Sequence, residues 1–81
     1  MKFKEEVIEN LKQYAQQLLG VDPATLSAET RFVEDLACKS VHYGQFSAKL
    51  EDEYDVAVPY ATIKRCETFA DVADFIDEAL C

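Results

Sequence analysis

Apolar residues recur at steps of three and four over three stretches of this chain, which is the spacing of amphipathic α-helices rather than strands. The first stripe is Phe3, Val7, Leu11, Tyr14, Ala15 and Leu18. The last stripe is Phe69, Val72, Ala73, Ile76 and Leu80. Between them, a helix from about Ser40 to Tyr54 places Tyr43, Phe46, Leu50 and Tyr54 within one arc, the predicted core face.

Helix-breaking residues bound the first stripe. Gly20 stands where a left-handed C-cap is expected and Pro23 prevents continuation, so the first helix should end near Leu19. Residues 21–39 fit neither the helical period nor strict alternation, which predicts a long ordered loop with one helical turn at 32–35. Its apolar residues are expected to pack across the bundle: Val21, Leu26, Phe32, Val33 and Leu36.

The remaining chain predicts a short helix followed by a capped one. Residues 60–66 allow about two turns, with Ile63 and Cys66 facing inward. Thr68 is expected to cap the final helix, with Asp71 completing a capping box. The sequence therefore predicts an all-α fold, a small four-helix bundle with a long first loop and a short third helix.

Length and charge restrict the function. With 81 residues we expect one domain, residues 1–81. Sixteen acidic and eight basic residues give a formal net charge of −8, which argues against a nucleic-acid partner and favours basic proteins. Such a charged chain is expected to be a monomer. Three unpaired cysteines indicate reduced thiols and a cytoplasmic protein, and the short apolar runs predict no membrane insertion.

Ser40 lies at the boundary between the polar loop and the second helix, where its hydroxyl is expected to serve as an N-cap. A serine here is also a reasonable place for an anionic group, because helix N-termini favour negative charge. Val41, Gly44 and Ala48 lie almost opposite the core face of the same helix. They are either a docking surface or small residues tolerated on an exposed face, and the pattern alone leaves both readings open.

The chain resembles an acyl carrier protein over nearly its whole length. The matching segments are Gly20-Val21-Asp22, Phe32-Val33-Glu34-Asp35-Leu36, Leu50-Glu51-Asp52-Glu53-Tyr54 and Val58-Pro59. Ser40 lies at the right distance along the chain from the second and the third of these segments. The resemblance implies that Ser40 carries 4′-phosphopantetheine through a phosphodiester, that acyl groups ride on the arm as thioesters, and that the protein is a non-catalytic carrier for fatty acid, specialised lipid or polyketide synthesis.

The residues around the serine depart from the family pattern. Where the family usually reads Gly-x-Asp-Ser-Leu, this chain reads Ala37-Cys38-Lys39-Ser40-Val41, so Lys39 reverses a charge beside the hydroxyl and is placed to contact the phosphate. His42 and Gln45 replace two further acidic positions of the family. These replacements suggest a dedicated set of partners.

The resemblance also implies two surfaces. Partners would be a phosphopantetheinyl transferase and acyl-transferring or chain-building enzymes with basic patches. They would meet a surface made of Glu34, Asp35, Val41, His42, Gly44, Gln45, Ala48, Glu51 and Asp52. The acyl chain would be sheltered by Tyr43, Phe46, Leu50 and Ile63, whose aromatic members predict a narrow cavity and short or differently shaped cargo.

Two other functions compete with the carrier interpretation. An acidic helical adaptor that keeps the fold without modification is favoured by Lys39. A small hydrolase using Ser40 or Cys38 with His42 is disfavoured, because nothing in the sequence buries or orients these groups. No catalytic residue and no metal site is expected, since the acidic run after Leu50 lacks the glycine and ligand spacing of a calcium loop.

Overall fold

The computed structural model of the chain describes residues 2–80, with side chains from Phe3 onward. Within this range the α-helices are α1 (Lys2–Leu19), α2 (Ser40–Tyr54), α3 (Tyr60–Arg65) and α4 (Phe69–Leu80). Residues 2–80 contain no strand beyond a single isolated bridge between Arg31 and Thr68. The predicted all-α bundle with a long first loop and a short third helix is confirmed.

The helices meet in one hydrophobic cluster. Helix α1 contributes Val7, Leu11 and Ala15, which are fully buried at successive steps of four residues. The core face of α2 is also as predicted, because Tyr43, Phe46 and Leu50 are buried. The other buried apolar residues are Phe32, Leu36, Val58, Ile63, Phe69, Val72, Ala73 and Ile76.

Helix α1 ends as the sequence predicts. Gly20 adopts a φ of +73°, and its N–H donates to the carbonyl of Gln16 at 3.0 Å. A short 3₁₀ turn, Pro23–Thr25, follows and was not predicted. Asp22 caps this turn by accepting from the N–H of Ala24 at 3.0 Å, so the aspartate before the proline begins a turn of its own.

The start of α4 carries the predicted capping box. The hydroxyl of Thr68 accepts from the N–H of Asp71 at 3.2 Å, and the Asp71 carboxylate accepts from the N–H of Thr68 at 3.2 Å. The same carboxylate also accepts from the N–H of Glu67 at 3.0 Å. Three main-chain donors at this end are therefore satisfied.

Two apolar residues were wrongly assigned to the core. Val33 is 62% exposed because residues 31–37 form a helix-like turn, in which Asp35 N donates to Arg31 O at 3.1 Å. Such a turn places Phe32 and Leu36 on its inner side and rotates Val33 outward. Leu80 is 47% exposed. Lys4 near the start of α1 pairs with Asp74 at 3.0 Å, and Leu80 lies further along α4 than this contact.

Candidate functional site

The segment that leads to Ser40 is held in place by the main chain of Phe32. The Phe32 N–H donates to the carbonyl of Glu67 at 3.1 Å, and its carbonyl accepts from the N–H of Cys38 at 2.9 Å. Its fully buried ring lies 5.7 Å from Tyr43, 5.4 Å from Phe46 and 5.3 Å from Phe69, measured between ring centroids. The prediction that Phe32 packs across the bundle is confirmed, and this packing fixes the approach to α2.

Ala37 makes the sharp turn between this anchored loop and the helix. Its φ of +52° lies in the left-handed region, which an L-residue with a Cβ adopts at a cost of about 1–2 kcal/mol. Glycine is free of this cost. The backbone here therefore has the conformation that a glycine would suit better than the alanine present.

Lys39, and not Ser40, is the N-cap of α2. Lys39 is extended (φ −111°, ψ 176°), and its carbonyl accepts from the N–H groups of His42 and Tyr43 at 2.9 and 3.2 Å. Ser40 is the first helical residue, so the prediction that its hydroxyl caps the helix is wrong. Ser40 is an exposed residue.

His42 performs part of the capping that was assigned to the serine. Its Nδ1 accepts a hydrogen bond from the main-chain N–H of Lys39 at 3.0 Å. This is the backward half of a capping box, made by an imidazole in place of the usual Glu or Gln. His42 is thus engaged in shaping the helix start.

The electrostatics at Ser40 suit an attached anion. The N-terminus of a helix presents unpaired N–H groups and the positive end of its dipole. The first turn of α2 contains no acidic residue, and the exposed Lys39 adds a positive charge beside the hydroxyl. An exposed serine, a helix N-terminus and a neighbouring lysine together fit a phosphodiester at this position.

The residues predicted to bind partners are exposed on the outer side of α2 and on the preceding turn. Val41 is 62% exposed, and Gly44, Gln45, Ala48 and Asp52 are exposed with it. Around them lie the exposed Glu34, Asp35 and Glu51 and the half-buried His42. Exposure of these residues is compatible with the predicted docking surface, which stays a prediction.

Two of those acidic residues also have structural contacts. Asp35 accepts from the N–H of Arg31 at 2.8 Å, and Glu51 accepts from the N–H of Val58 at 2.7 Å. Glu34 lies 3.8 Å from the guanidinium of Arg31, which is a loose and exposed ion pair. Asp35 and Glu51 therefore stabilise local backbone, and only part of their acceptor capacity faces solvent.

The residues predicted to shelter cargo are packed into the core. Phe46, Leu50 and Ile63 are all buried in the main hydrophobic cluster. Tyr43 is the one of these four that lines an open cleft, of about 240 Å³, together with Arg31, Val33, Glu34, Lys64, Cys66 and Glu67. Charged side chains dominate this cleft, so an apolar chain could enter the core only if the helices separated.

The described thiols are poorly suited to act as nucleophiles. Cys38 and Cys66 are free and half-buried, and Cys81 lies outside the described residues. Burial raises the pKa of Cys38 to about 11, and burial also raises the pKa of Cys66. Since the thiolate is the reactive form, both groups are largely protonated near neutral pH.

Sequence reasoning missed the contact between α2 and the chain that precedes α3. The hydroxyl of Ser47 donates to the carbonyl of Val58, and this bond is buried. The signal was present, because Ser47 lies one turn after Tyr43 and borders the apolar arc of α2. A polar residue beside a core face needs a hydrogen-bond partner, so a buried hydrogen bond from the Ser47 hydroxyl could have been predicted.

The fold and this site define a class of carrier domain. A family model described as the phosphopantetheine attachment site matches residues 9–76, and the chain belongs to this family. Its cofactor is phosphopantetheine. The exposed serine beside a helix N-terminus fits that group.

Curated relatives identify the branch of the family. The chain is 32% identical over 79 residues to an acyl carrier protein of Micrococcus luteus, which covers 98% of both chains. It is 33% identical over 72 residues to an acyl carrier protein of Thermosynechococcus vestitus, covering 89% of each. A meromycolate extension acyl carrier protein of Mycolicibacterium smegmatis is 28% identical over 75 residues, with 93% of this chain and 76% of the relative covered. The chain is an acyl carrier protein by family.

Proposed function

We propose that Ser40 is the attachment residue and that the protein presents acyl groups to the enzymes of fatty acid, specialised lipid or polyketide synthesis. The observation that carries the proposal is the position of Ser40, an exposed hydroxyl on the first residue of α2. It lies within the residues that the phosphopantetheine family model covers. When bound, the group supplies a thiol that holds acyl chains as thioesters.

The chain's own residues bind and orient the phosphate of the arm. The N-terminus of α2 contributes about 0.3–1 kcal/mol to an exposed anion. Lys39 adds an exposed ion pair worth roughly 0–1 kcal/mol. These contributions bias the direction of the arm without fixing it, which suits an arm that must visit several enzymes.

The protein itself is proposed to be non-catalytic. Cys38 has a raised pKa and His42 uses its Nδ1 to hold the helix start, so neither is arranged as a nucleophile or base toward Ser40. Chemistry on the cargo would therefore be performed by partners: a phosphopantetheinyl transferase and acyl-transferring or chain-building enzymes. Measuring ester turnover by the purified chain tests this point, and Ser40-dependent turnover would contradict it.

Attachment is tested by incubating the protein with coenzyme A and a phosphopantetheinyl transferase and measuring its intact mass. The wild type should gain one arm, and Ser40→Ala should gain none. Ser27→Ala is the matched control, because Ser27 is an exposed serine in the first loop and should leave the gain unchanged. If the wild type gains nothing with its native transferase, the adaptor reading replaces the carrier reading.

The partner set is proposed to be a dedicated one, because the start of α2 lacks acidic residues. Lys39, His42 and Gln45 stand next to Ser40, while Glu51 and Asp52 retain the acidic character further along the helix. Complementary charge mainly sets encounter rate and excludes wrong partners. A partner that docks here would need basic residues opposite the second half of α2 and neutral or acidic residues opposite Lys39.

Charge restoration tests this proposal. The variant Lys39→Asp, His42→Asp, Gln45→Glu should be loaded faster by transferases and acyltransferases of general fatty acid synthesis. Asp at position 42 can still accept from the main chain, so the helix start is preserved. Lys49→Asp is a control that adds an acidic residue elsewhere on α2. Equal loading of the wild type and the triple variant would refute the dedicated-partner proposal.

Three coarser properties complete the proposal: one domain spanning residues 1–81, a monomer, and a cytoplasmic protein. A single hydrophobic cluster that extends from Val7 to Ile76 supports the first. The free thiols Cys38 and Cys66 are compatible with a reducing compartment. None of the helices in residues 2–80 combines the length and the apolar character that crossing a bilayer requires. Light scattering tests the monomeric state, and cell fractionation tests the cytoplasmic location.

A further inference from the structure

The N-cap residue of α2 offers the helix no side-chain acceptor. This residue is Lys39, and its side chain makes no capping hydrogen bond. A lysine ammonium donates hydrogen bonds but has no lone pair to accept one. The first turn of α2 also contains no acidic residue. A side-chain acceptor at this helix start must therefore come from a neutral residue.

His42 supplies that acceptor. Its Nδ1 accepts from the main-chain N–H of Lys39 at 3.0 Å, and its own N–H donates to the carbonyl of Lys39 at 2.9 Å. Among residues 39–42, all of which the structure describes, His42 is the one whose side chain makes a hydrogen bond. Both main-chain polar groups of Lys39 are thus held by a single residue.

Ser40 lies between two points that are fixed independently of His42. On one side, the N–H of Cys38 donates to the carbonyl of Phe32 at 2.9 Å. On the other side, Tyr43 is buried in the core. Lys39 is the extended link between them, with φ −111° and ψ 176°, so its dihedral angles set the direction in which the chain enters Ser40. The bond from Lys39 to the His42 imidazole restrains these angles.

We propose that His42 is a positioning residue that holds Ser40 in the orientation required for attachment of the arm, and that it does so only while its imidazole is neutral. A ring nitrogen that carries a proton has no lone pair left to accept a hydrogen bond. Imidazoles change charge between about pH 5 and 8. The restraint is therefore present at the upper end of this range and is lost as the pH falls. The statement about attachment rests on the proposed function, whereas the pH-dependent restraint does not.

The other titratable groups around the start of α2 keep their charge over this range. They are Glu34, Asp35, Cys38, Lys39 and Lys49. Glu34 and Asp35 both interact with Arg31, and carboxylates and lysines ordinarily stay charged between pH 5 and 8. Helix α1 faces Lys49 through the ring of Tyr14 at 5.6 Å. Burial raises the pKa of Tyr14 to about 12 and that of Cys38 to about 11, so both stay protonated. His42 is the single histidine of the chain, which assigns a change at this helix start to one side chain.

The first measurement is residue-resolved amide exchange of the unmodified protein at pH 8 and pH 5.5, corrected for intrinsic rates. The amides of Lys39 and Tyr43 should lose protection about fivefold on acidification, the effect of losing one cap of ordinary strength. His42→Ala should already show the lower protection at pH 8. Amides in the middle of α1 should keep their protection in both proteins.

The matched control exchanges two residues of α2. The double variant His42→Gln, Gln45→His keeps the composition, and Gln45 is exposed. Glutamine at position 42 still supplies the acceptor of a capping box but does not titrate. Protection of the Lys39 amide in this double variant should not depend on pH. An equal loss of protection in the wild type and the double variant, or no loss in the wild type, would overturn the proposal.

The second measurement is the rate at which a phosphopantetheinyl transferase attaches the arm from coenzyme A. Each rate is divided by the rate of the same protein at pH 8, so the pH dependence of the transferase cancels between proteins. At pH 5.5 the wild type should retain about fivefold less of its rate than the double variant. A pH dependence that follows the imidazole to position 45 would mean that charge on the docking surface is responsible, and it would contradict the positioning role. If no protein gains the arm at any pH, the proposed function fails and the exchange result stands.

Discussion

A reciprocal exchange of alanine and glycine tests how the backbone around Ser40 is built. Ala37 holds a φ of +52°, which costs an L-residue about 1–2 kcal/mol. Glycine removes that cost but gains about 0.4–1 kcal/mol of unfolded-state entropy. Ala37→Gly should therefore increase the free energy of unfolding by about 0.5–1 kcal/mol.

Gly44 is a glycine at a position where an alanine should be more stable. It lies inside α2, and a Cβ added there would meet no heavy atom within 4 Å. Gly44→Ala should increase the free energy of unfolding by about 0.8–1 kcal/mol, the difference in helix propensity. The two sites are independent, so the double variant should gain about 1.3–2 kcal/mol and retain the same composition. For a domain of this size that corresponds to a rise in melting temperature of roughly 5–16 °C.

Urea denaturation followed by circular dichroism measures both changes, provided that the dependence on urea stays the same between variants. Ala57→Gly is the matched control, because Ala57 is an exposed loop alanine without positive φ and should lose stability on substitution. If Ala37→Gly loses stability as Ala57→Gly does, the strain assigned to Ala37 is refuted. A partner that approaches α2 closely at Gly44 would be revealed by slower loading of Gly44→Ala despite its greater stability.

Four further outcomes are expected. Phe32→Leu should destabilise the domain by about 1–3 kcal/mol, because it removes three aromatic contacts. Val33→Ala, at the exposed neighbouring residue, should change the free energy of unfolding by no more than about 0.5 kcal/mol. Equal urea midpoints for the two variants would contradict the anchoring role of Phe32. Thr68→Ala should lose about 1 kcal/mol by removing the cap that bonds Asp71, again measured in urea. Alkylation of Cys38, followed by mass spectrometry, should be far slower at pH 8 than alkylation of N-acetylcysteine. The rate should increase as the pH rises toward the Cys38 pKa of about 11. A rate that does not change with pH would contradict slow alkylation through a raised thiol pKa. Added sodium chloride should raise the melting temperature by screening the net charge of −8, and an unchanged value would show that repulsion is negligible.

The fold was predictable because its helices carry strong apolar stripes and clear end signals. The stripe of Val7, Leu11 and Ala15, the left-handed Gly20 and the Thr68–Asp71 box are all local features, and each was confirmed. Local features fail where tertiary geometry sets the direction of a side chain. Val33 is apolar and lies in a packed loop, yet a single helix-like turn rotates it into solvent.

The candidate site was predictable in position but less so in detail. The residue pattern placed Ser40 correctly at the start of α2, while the cap itself depends on the extended backbone of Lys39 and the imidazole of His42. An imidazole acting as the acceptor of a capping box is not a pattern that propensities favour. The bonds of Ser47 and Glu51 to Val58 join residues separated by a break in the chain, so no periodicity could pair them.

Phe32 has a mechanical consequence for the segment that leads to Ser40. Its N–H and carbonyl join the chain before α4 to the chain before α2, through Glu67 and Cys38. A pull applied at Ser40 would thus be transmitted through Phe32 to the chain that precedes α4. The loop before α2 should therefore stay folded when α2 is displaced, because the two main-chain hydrogen bonds of Phe32 resist its opening. The buried ring of Phe32 shields these bonds from water.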